Sequence, residues 1–260
     1  MNFCTLASGS NGNAVYINDG DAHLLVDVGV SMRELKRRLA ELSVTTAQLC
    51  GLLITHAHGD HVRGLELFAR ETRVPIYGNR ETLLSVIARN PDLPPARLSV
   101  FEGEGPYSIG GFTVTPFPVQ HDEPCVGYRI AGRSKTLGIA TDIGCLTDAL
   151  EQGLQGVNFA LIEANHDVEM LQNGIYPAVL KRRVLSPYGH LSNDECGNLA
   201  QRLLQSGCHH FLLGHLSENN NLPRLAADTV CGALASMGAR PGEVTVDVAP
   251  RKSPSPIFSF

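Results

Sequence analysis

Six consecutive residues, His56-Ala57-His58-Gly59-Asp60-His61, carry three imidazoles and one carboxylate. His56 and His58 alternate, so from an extended segment their side chains point the same way. Asp60 and His61 fall where the chain turns into a helix and face a second point close by. Imidazole nitrogen and carboxylate oxygen together suit Zn²⁺, Mn²⁺ or Fe. The alternative is a polar loop whose histidines are there by chance. Against it stands a recurrence: Phe117-Pro118-Val119-Gln120 leads to His121, Leu137-Gly138-Ile139-Ala140-Thr141 to Asp142, and Phe211-Leu212-Leu213-Gly214 to His215. Each alone reads as a structural hydrogen-bonder. Placed with the cluster, they read as loops converging from one edge of a packed sheet onto a metal site.

The elements that must position these side chains are legible as alternating apolar runs and turns. Phe3 to Ala7, Ala14 to Ile17 and His23 to Val28 read as strands, broken by Ser8–Asn13 and Asp19–Asp21. Ser31 caps a helix through Leu35, Leu39 and Leu42; Gly51 to Thr55 runs buried into the histidines; a helix follows through Leu65, Leu67 and Phe68. Arg80 to Arg89 is another helix, Asn90 to Ala96 a proline-rich loop, and Leu98 to Ala140 is strand-like. Strands at Asn158–Ile162 and His209–Leu213 flank a helix from Asp194 to Gln205, opened by the Ser192/Glu195 capping box. A helix over Leu222–Met237 and a strand over Glu243–Val248 close the pattern; the tail from Pro250 is expected to be loose, unless Ile257, Phe258 and Phe260 dock. Strands and helices recur in each half with no linker between them, which predicts one domain over residues 1–260, a two-sheet sandwich flanked by helices.

Bulk properties set limits. At 43% hydrophobic content, 260 residues bury a substantial core, and a net charge of −5 argues against coating nucleic acid or anionic membrane by global charge. Neither a signal peptide nor an apolar stretch of the roughly 20 residues needed to span a bilayer is present, so no membrane is expected. Seven scattered cysteines without a C-x-x-C read as reduced thiols, and the cytoplasm is the expected compartment.

The H-x-H-x-D-H cluster, followed in order by His121, Asp142 and His215, resembles the metallo-β-lactamase superfamily over Asp27 to His215. That resemblance implies a four-layer αβ/βα sandwich of α/β (α+β) class with two metal ions at one edge. It assigns His56, His58 and His121 to one ion, Asp60, His61 and His215 to the other, and Asp142 to the bridge. Asp27 matches an aspartate that braces the histidine loop from behind. Two divalent ions against two carboxylates and one hydroxide leave a surplus positive charge, which favours an anionic phosphodiester. Where some true β-lactamases place a cysteine this chain has Asp142, and Cys145 reads as packing, so lactam hydrolysis is disfavoured.

Four further motifs, Ser8–Asn13, Glu163–Asp167, Gly189–Ser192 and Gly214–Asn221, resemble the WalJ/YycJ-like branch, whose members are associated with 5′-to-3′ exonuclease action on DNA. His121 with Gly127-Tyr128-Arg129-Ile130 is similar to the tRNA 3′-processing endonucleases. By that similarity His190 donates a proton to the leaving oxygen or steadies the phosphate, Glu163 orients it, and His166 reaches the site from the end of the Glu163 strand; Asp60 completes the candidate catalytic set. The blander reading of His190 and His166 is a hydrogen-bonding role at a helix entry. Candidate substrate contacts are Ser10, Asn13 and Asn219 within the motifs, and Arg63, Lys181, Arg182 and Arg183 as phosphate-binding cations. Aromatic residues are 6% of the chain and Trp is absent, which favours backbone contact over base readout. The segment from Asp142 to His215 is too short for a β-CASP cap, and no protruding arm of the tRNA-processing type is evident.

The expectation is a two-metal phosphodiesterase (Zn or Mn, with Fe open) that takes DNA in preference to RNA, with a homodimer left open. Rivals are a cyclic-phosphate phosphodiesterase, a glyoxalase-II-type thioester hydrolase and, outside hydrolysis, an iron redox or sensor protein on the same ligands.

Overall fold

The computed structural model describes every residue except Glu104 and Pro241. Among the described residues, fourteen strands form two seven-stranded sheets. In chain order they are β1 (Asn2–Ala7), β2 (Ala14–Asp19), β3 (Ala22–Val26), β4 (Leu49–Leu53), β5 (Ile76–Asn79), β6 (Leu98–Phe101), β7 (Tyr107–Ile109), β8 (Phe112–Val119), β9 (Cys125–Ala131), β10 (Thr136–Ala140), β11 (Phe159–Glu163), β12 (His210–Gly214), β13 (Thr245–Val248) and β14 (Phe258–Ser259). The first sheet runs β14-β1-β2-β3-β4-β5-β6 and the second β13-β12-β11-β10-β9-β8-β7. Each is built alike: antiparallel pairs at one side give way to parallel strands, from β3 in the first sheet and from β10 in the second.

Strand alternation explains the layering, because successive side chains face opposite sides of a sheet. In β3, Leu24 and Val26 join the core between the sheets while Leu25 joins the outer core. In β11, Phe159 and Leu161 face inward, whereas Ala160 and Ile162 face the helices. The helix Met32–Glu41 covers the first sheet with Met32, Leu35 and Leu39. Asn193–Gln205 and Pro223–Ser236 cover the second with Leu199, Leu203, Val230 and Leu234. Helix, sheet, sheet, helix is the four-layer sandwich expected.

Both anticipated caps form: Ser31 Oγ accepts from Glu34 N, and Ser192 and Glu195 make a reciprocal capping box. The expectation of a loose tail is corrected. Ser255 pairs with Thr5 through both backbone and side chain, Phe258 stacks on Phe3 at 5.3 Å, and Phe260 packs against Phe3 and Phe159, while Ile257 stays exposed. The tail therefore ends as the edge strand β14. Short helices at Asp148–Leu154, Val168–Asn173 and Ala178–Val184 add to those expected. Among the described residues no helix is long and apolar enough to cross a membrane.

Candidate metal centre

Strand ends deliver the site. Asp27 follows β3, the histidine cluster follows β4, His121 follows β8, Asp142 follows β10, Glu163 closes β11 and His215 follows β12. Most of these are carboxyl ends of parallel strands, the usual ligand edge of such sheets. Among the described residues, Asp27, Asp142 and His215 are three of the four non-glycine residues with positive φ, at 60°, 58° and 54°. That conformation is unfavourable for a residue with a Cβ, and its concentration here marks the edge where function overrides local preference. Close approach of the backbone matters too: a Cβ on Gly29 would lie 1.6 Å from the Asp60 carbonyl oxygen, so only glycine lets the Asp27 loop sit against the metal-binding turn.

The hydrogen-bond network fixes how each imidazole faces. Asp27 accepts from Thr55 N at 2.9 Å, from Thr55 Oγ1 at 2.7 Å and from His61 Nδ1 at 2.7 Å. Thr55 has spent its proton on Asp27, so its oxygen accepts from His56 Nδ1 at 3.1 Å. His121 Nδ1 donates to Gly189 O at 3.1 Å, and His215 Nδ1 to Glu163 Oε1 at 2.6 Å. Four rings are thus held with Nδ1 outward and Nε2 turned toward the other candidate ligands. The Asn13 amide lies 2.9 Å from His61 Nε2. His58 is reversed, with Nδ1 lying 3.0 Å from His56 Nε2. Outer partners of this kind set tautomer and ring orientation in metal sites.

The donors fit a cation. One atom each from His56, His58 and His121 fall within 4.8 Å of one another, as do those of Asp60, His61 and His215, and those of His56, His61 and Asp142. The first two groups contain the residues that the resemblance assigns to the two ions; Asp142, Glu163, His190 and His215 form a further group of this kind. Among the described residues, buried His121 Nε2 and Asp142 Oδ2 have no aligned hydrogen-bond partner, although His61 Nε2 lies 3.1 Å from the latter. Such orphans are costly unless something else satisfies them, and a divalent ion would.

Electrostatics agree. Burial alone would raise the Asp142 carboxyl, but His215, His61 and His56 hold it well below its usual value. Burial would lower His61, yet Asp142 and Asp27 lift it to about 10; the same balance raises His215 through Asp142, Asp60 and Glu163. His56, fully buried and beside His61, is pushed well down. Here the carboxylates recruit positive charge, which is what a metal site requires.

Glu163 is fully buried and saturated: it accepts from Ile143 N at 2.7 Å, Leu191 N at 3.1 Å, His190 Nδ1 at 3.0 Å and His215 Nδ1. Burial would raise its carboxyl, but His190 and His215 hold it at about 2. Glu163 thereby orients His190 and His215 together. His190 is raised by Glu163 against the effect of burial, with its Nδ1 engaged there. The cluster does not take in His166: it is buried, with neither ring nitrogen bonded, and lowered to about 4 by burial.

Of the expected substrate contacts, Asn13 touches the centre, with Nδ2 3.2 Å from Asp60 Oδ2. Ser10 and Asn219 line a cavity of about 170 Å³ with Asn11, Tyr176 and Arg251. Arg63 Nη1 donates to Asn11 O on that side. Arg183 binds Asp122 at the His58 side, Lys181 is engaged by Gln172 O, and Arg182 is exposed. Sequence reasoning missed Thr55, Asp122 and the Glu163–His215 bond; Thr55 and Asp122 sit directly beside ligand histidines, which is the signal that was available.

Residues 23–215 match the β-lactamase superfamily domain. The chain is 33% identical to exodeoxyribonuclease YycJ of Bacillus anthracis over 245 residues, 94% of this chain and 92% of that one. It is 34% identical to exodeoxyribonuclease WalJ of Streptococcus pneumoniae over 236 residues, 90% and 88% of the two chains. Among solved structures, the metallo-β-lactamase-fold protein YhfI of Bacillus subtilis superposes with a TM-score of 0.71 at 18% identity, covering 98% of both chains. Zn²⁺-bound PqqB of Methylobacterium extorquens gives 0.72 at 17%, covering both chains completely. The chain belongs to the metallo-β-lactamase superfamily, in its YycJ/WalJ-like branch. It is a metal-dependent hydrolase of that fold.

Proposed function

We propose that this hydrolase is a DNA exonuclease that releases nucleotides in the 5′-to-3′ direction, using two divalent ions, Zn or Mn, with Fe also compatible. The observation that carries the reading is the 33% identity to a named exodeoxyribonuclease over nearly the whole of both chains. Supporting it, the ligand atoms form two adjacent sets joined through Asp142, which suits a phosphodiester better than a neutral ester.

Paired divalent ions would supply Lewis acidity toward the phosphoryl group and a nucleophile from water near neutral pH. The chain's own residues do the rest. Asp27 and Glu163 hold His61 and His215 with their lone pairs inward. His190, its Nδ1 engaged by Glu163, gives the proton on Nε2 to the departing oxygen. The cavity walled by Ser10, Asn11, Tyr176, Asn219 and Arg251 seats the terminal nucleotide unit, and Arg63 and Arg183 meet backbone phosphates on either side. Lys181 and Arg182 extend that track. Residues 1–260 act as one domain, since the core between the sheets draws on both halves of the chain. Seven free cysteines suit a reducing compartment, taken to be the cytoplasm.

The test is digestion of linear DNA labelled at the 5′ or the 3′ end, beside RNA of the same sequence, with Mn²⁺ or Zn²⁺. Early release of the 5′ label as mononucleotide is expected. Hydrolysis of bis(p-nitrophenyl) phosphate with DNA untouched would move the assignment to a small phosphodiester.

A further inference from the structure

Asp122 has no place in the ligand sets, yet its carboxylate occupies the mouth of the three-histidine position. Oδ1 lies 3.3 Å from His58 Nε2 and 3.2 Å from His121 Nε2. Oδ2 accepts from Arg183 Nε at 3.0 Å and Nη2 at 2.5 Å. His58 is the one ring in the cluster whose Nδ1 faces the other ligands, because that atom lies 3.0 Å from His56 Nε2. Its outward nitrogen is therefore Nε2, and the other four rings each have a protein acceptor at the outward nitrogen: Thr55, Asp27, Gly189 and Glu163. For His58 the carboxylate beside the outward nitrogen is Asp122.

We propose that Asp122 is the positioning residue of the three-histidine metal position: it holds the His58 proton on Nε2, leaves Nδ1 free to ligate, and is itself anchored by Arg183. Arg183 is more than half exposed, so its guanidinium is within reach of a phosphate on the substrate side. An anion drawing on Arg183 would act on His58 through one carboxylate. The two basic roles suggested for Arg183, holding Asp122 and meeting phosphate, are then one device.

Loss of an outer partner of this kind weakens metal binding by about 10- to 100-fold. The experiment is competition of the apoprotein and of D122A, D122N and R183A with a chromophoric chelator for Zn²⁺, beside the Co²⁺ absorption spectrum of each. D122A is expected to lose about 10- to 100-fold in affinity at one of two positions, with the other position unchanged. D122N keeps an acceptor oxygen and should lose less, and R183A less again. The Co²⁺ spectrum should keep its coordination pattern in all three once saturated. Two resolved affinities in D122A within twofold of wild type would overturn the proposal. So would a changed Co²⁺ coordination number, which would make Asp122 a direct ligand. Thermal melting of the apoproteins checks that each variant folds. None of these readouts depends on the substrate, so failure here and failure of the nuclease reading are distinguishable.

Discussion

Replacing Asp27 by asparagine changes one oxygen and one charge at a point where three donors meet. In the native chain Oδ1 receives Thr55 N, and Oδ2 receives both Thr55 Oγ1 and His61 Nδ1, all between 2.7 and 2.9 Å and all buried. Asparagine can keep its oxygen toward Thr55 N, but its NH₂ then faces two donors. The conflict is relieved if His61 moves its proton to Nε2, which removes the lone pair from the metal side. Hydrogen bonds to a buried charged group are worth about 1.5–3 kcal/mol, and losing such an outer partner lowers metal affinity by about 10- to 100-fold. At about 2–4 °C per kcal/mol for a chain of this size, the apoprotein should melt about 3–12 °C lower. Metal competition should show the loss at the position containing His61. The assay is thermal melting in EDTA, followed by chelator competition at a temperature where the variant is folded. A D27N protein binding both ions within twofold of wild type would refute the brace.

Chelation should lower the melting temperature, since each ion held at 100 times its dissociation constant stabilises by about 2.7 kcal/mol, or about 5–11 °C; identical melts with and without EDTA would contradict this. His190→Gln should retain its metal content, measured by atomic emission, while kcat falls by about 10²–10⁴; undiminished turnover would exclude proton donation by His190. In the helix Met32–Glu41, hydrogen bonding from Arg37, helped by Arg38, holds Glu34 at about 2 instead of 4.5. A depressed folded value means the contribution is complete above about pH 4.5 and is lost as pH falls toward 2. Glu34→Gln should flatten the acid limb of stability across that window, seen by urea melts; an unchanged limb would sink the assignment.

The candidate ligands were legible because each follows an apolar strand, and chemistry-bearing residues after a buried run stand out against their neighbours. The braces were harder to see. Glu163 reaches His215 across 52 residues of sequence, a pairing created only when β11 and β12 lie side by side. Positive φ at Asp27, Asp142 and His215 is only weakly written in residue type, since Asp and His enter that region more often than most side chains but far less readily than glycine. Val168–Asn173 and Ala178–Val184 bury Leu171 and Val184 alone, too little periodicity to mark a helix. In the tail, proline and serine suggested a loose end, but Ser255 supplies the hydrogen bonds to Thr5 and Phe258 and Phe260 supply the apolar contacts. Composition reported the turns there, and the docking left open for Phe258 and Phe260 is the outcome.

The central claim is that a two-metal centre joined by Asp142 hydrolyses DNA from its ends. Its most direct test is digestion of end-labelled duplex DNA by metal-loaded wild type and Asp142→Ala, with the metal content of both measured. Mononucleotide release by a protein holding two ions, lost in a folded variant that has lost at least one, is the predicted result. Equal digestion by both proteins, or none by a fully loaded wild type in either Mn²⁺ or Zn²⁺, would contradict it.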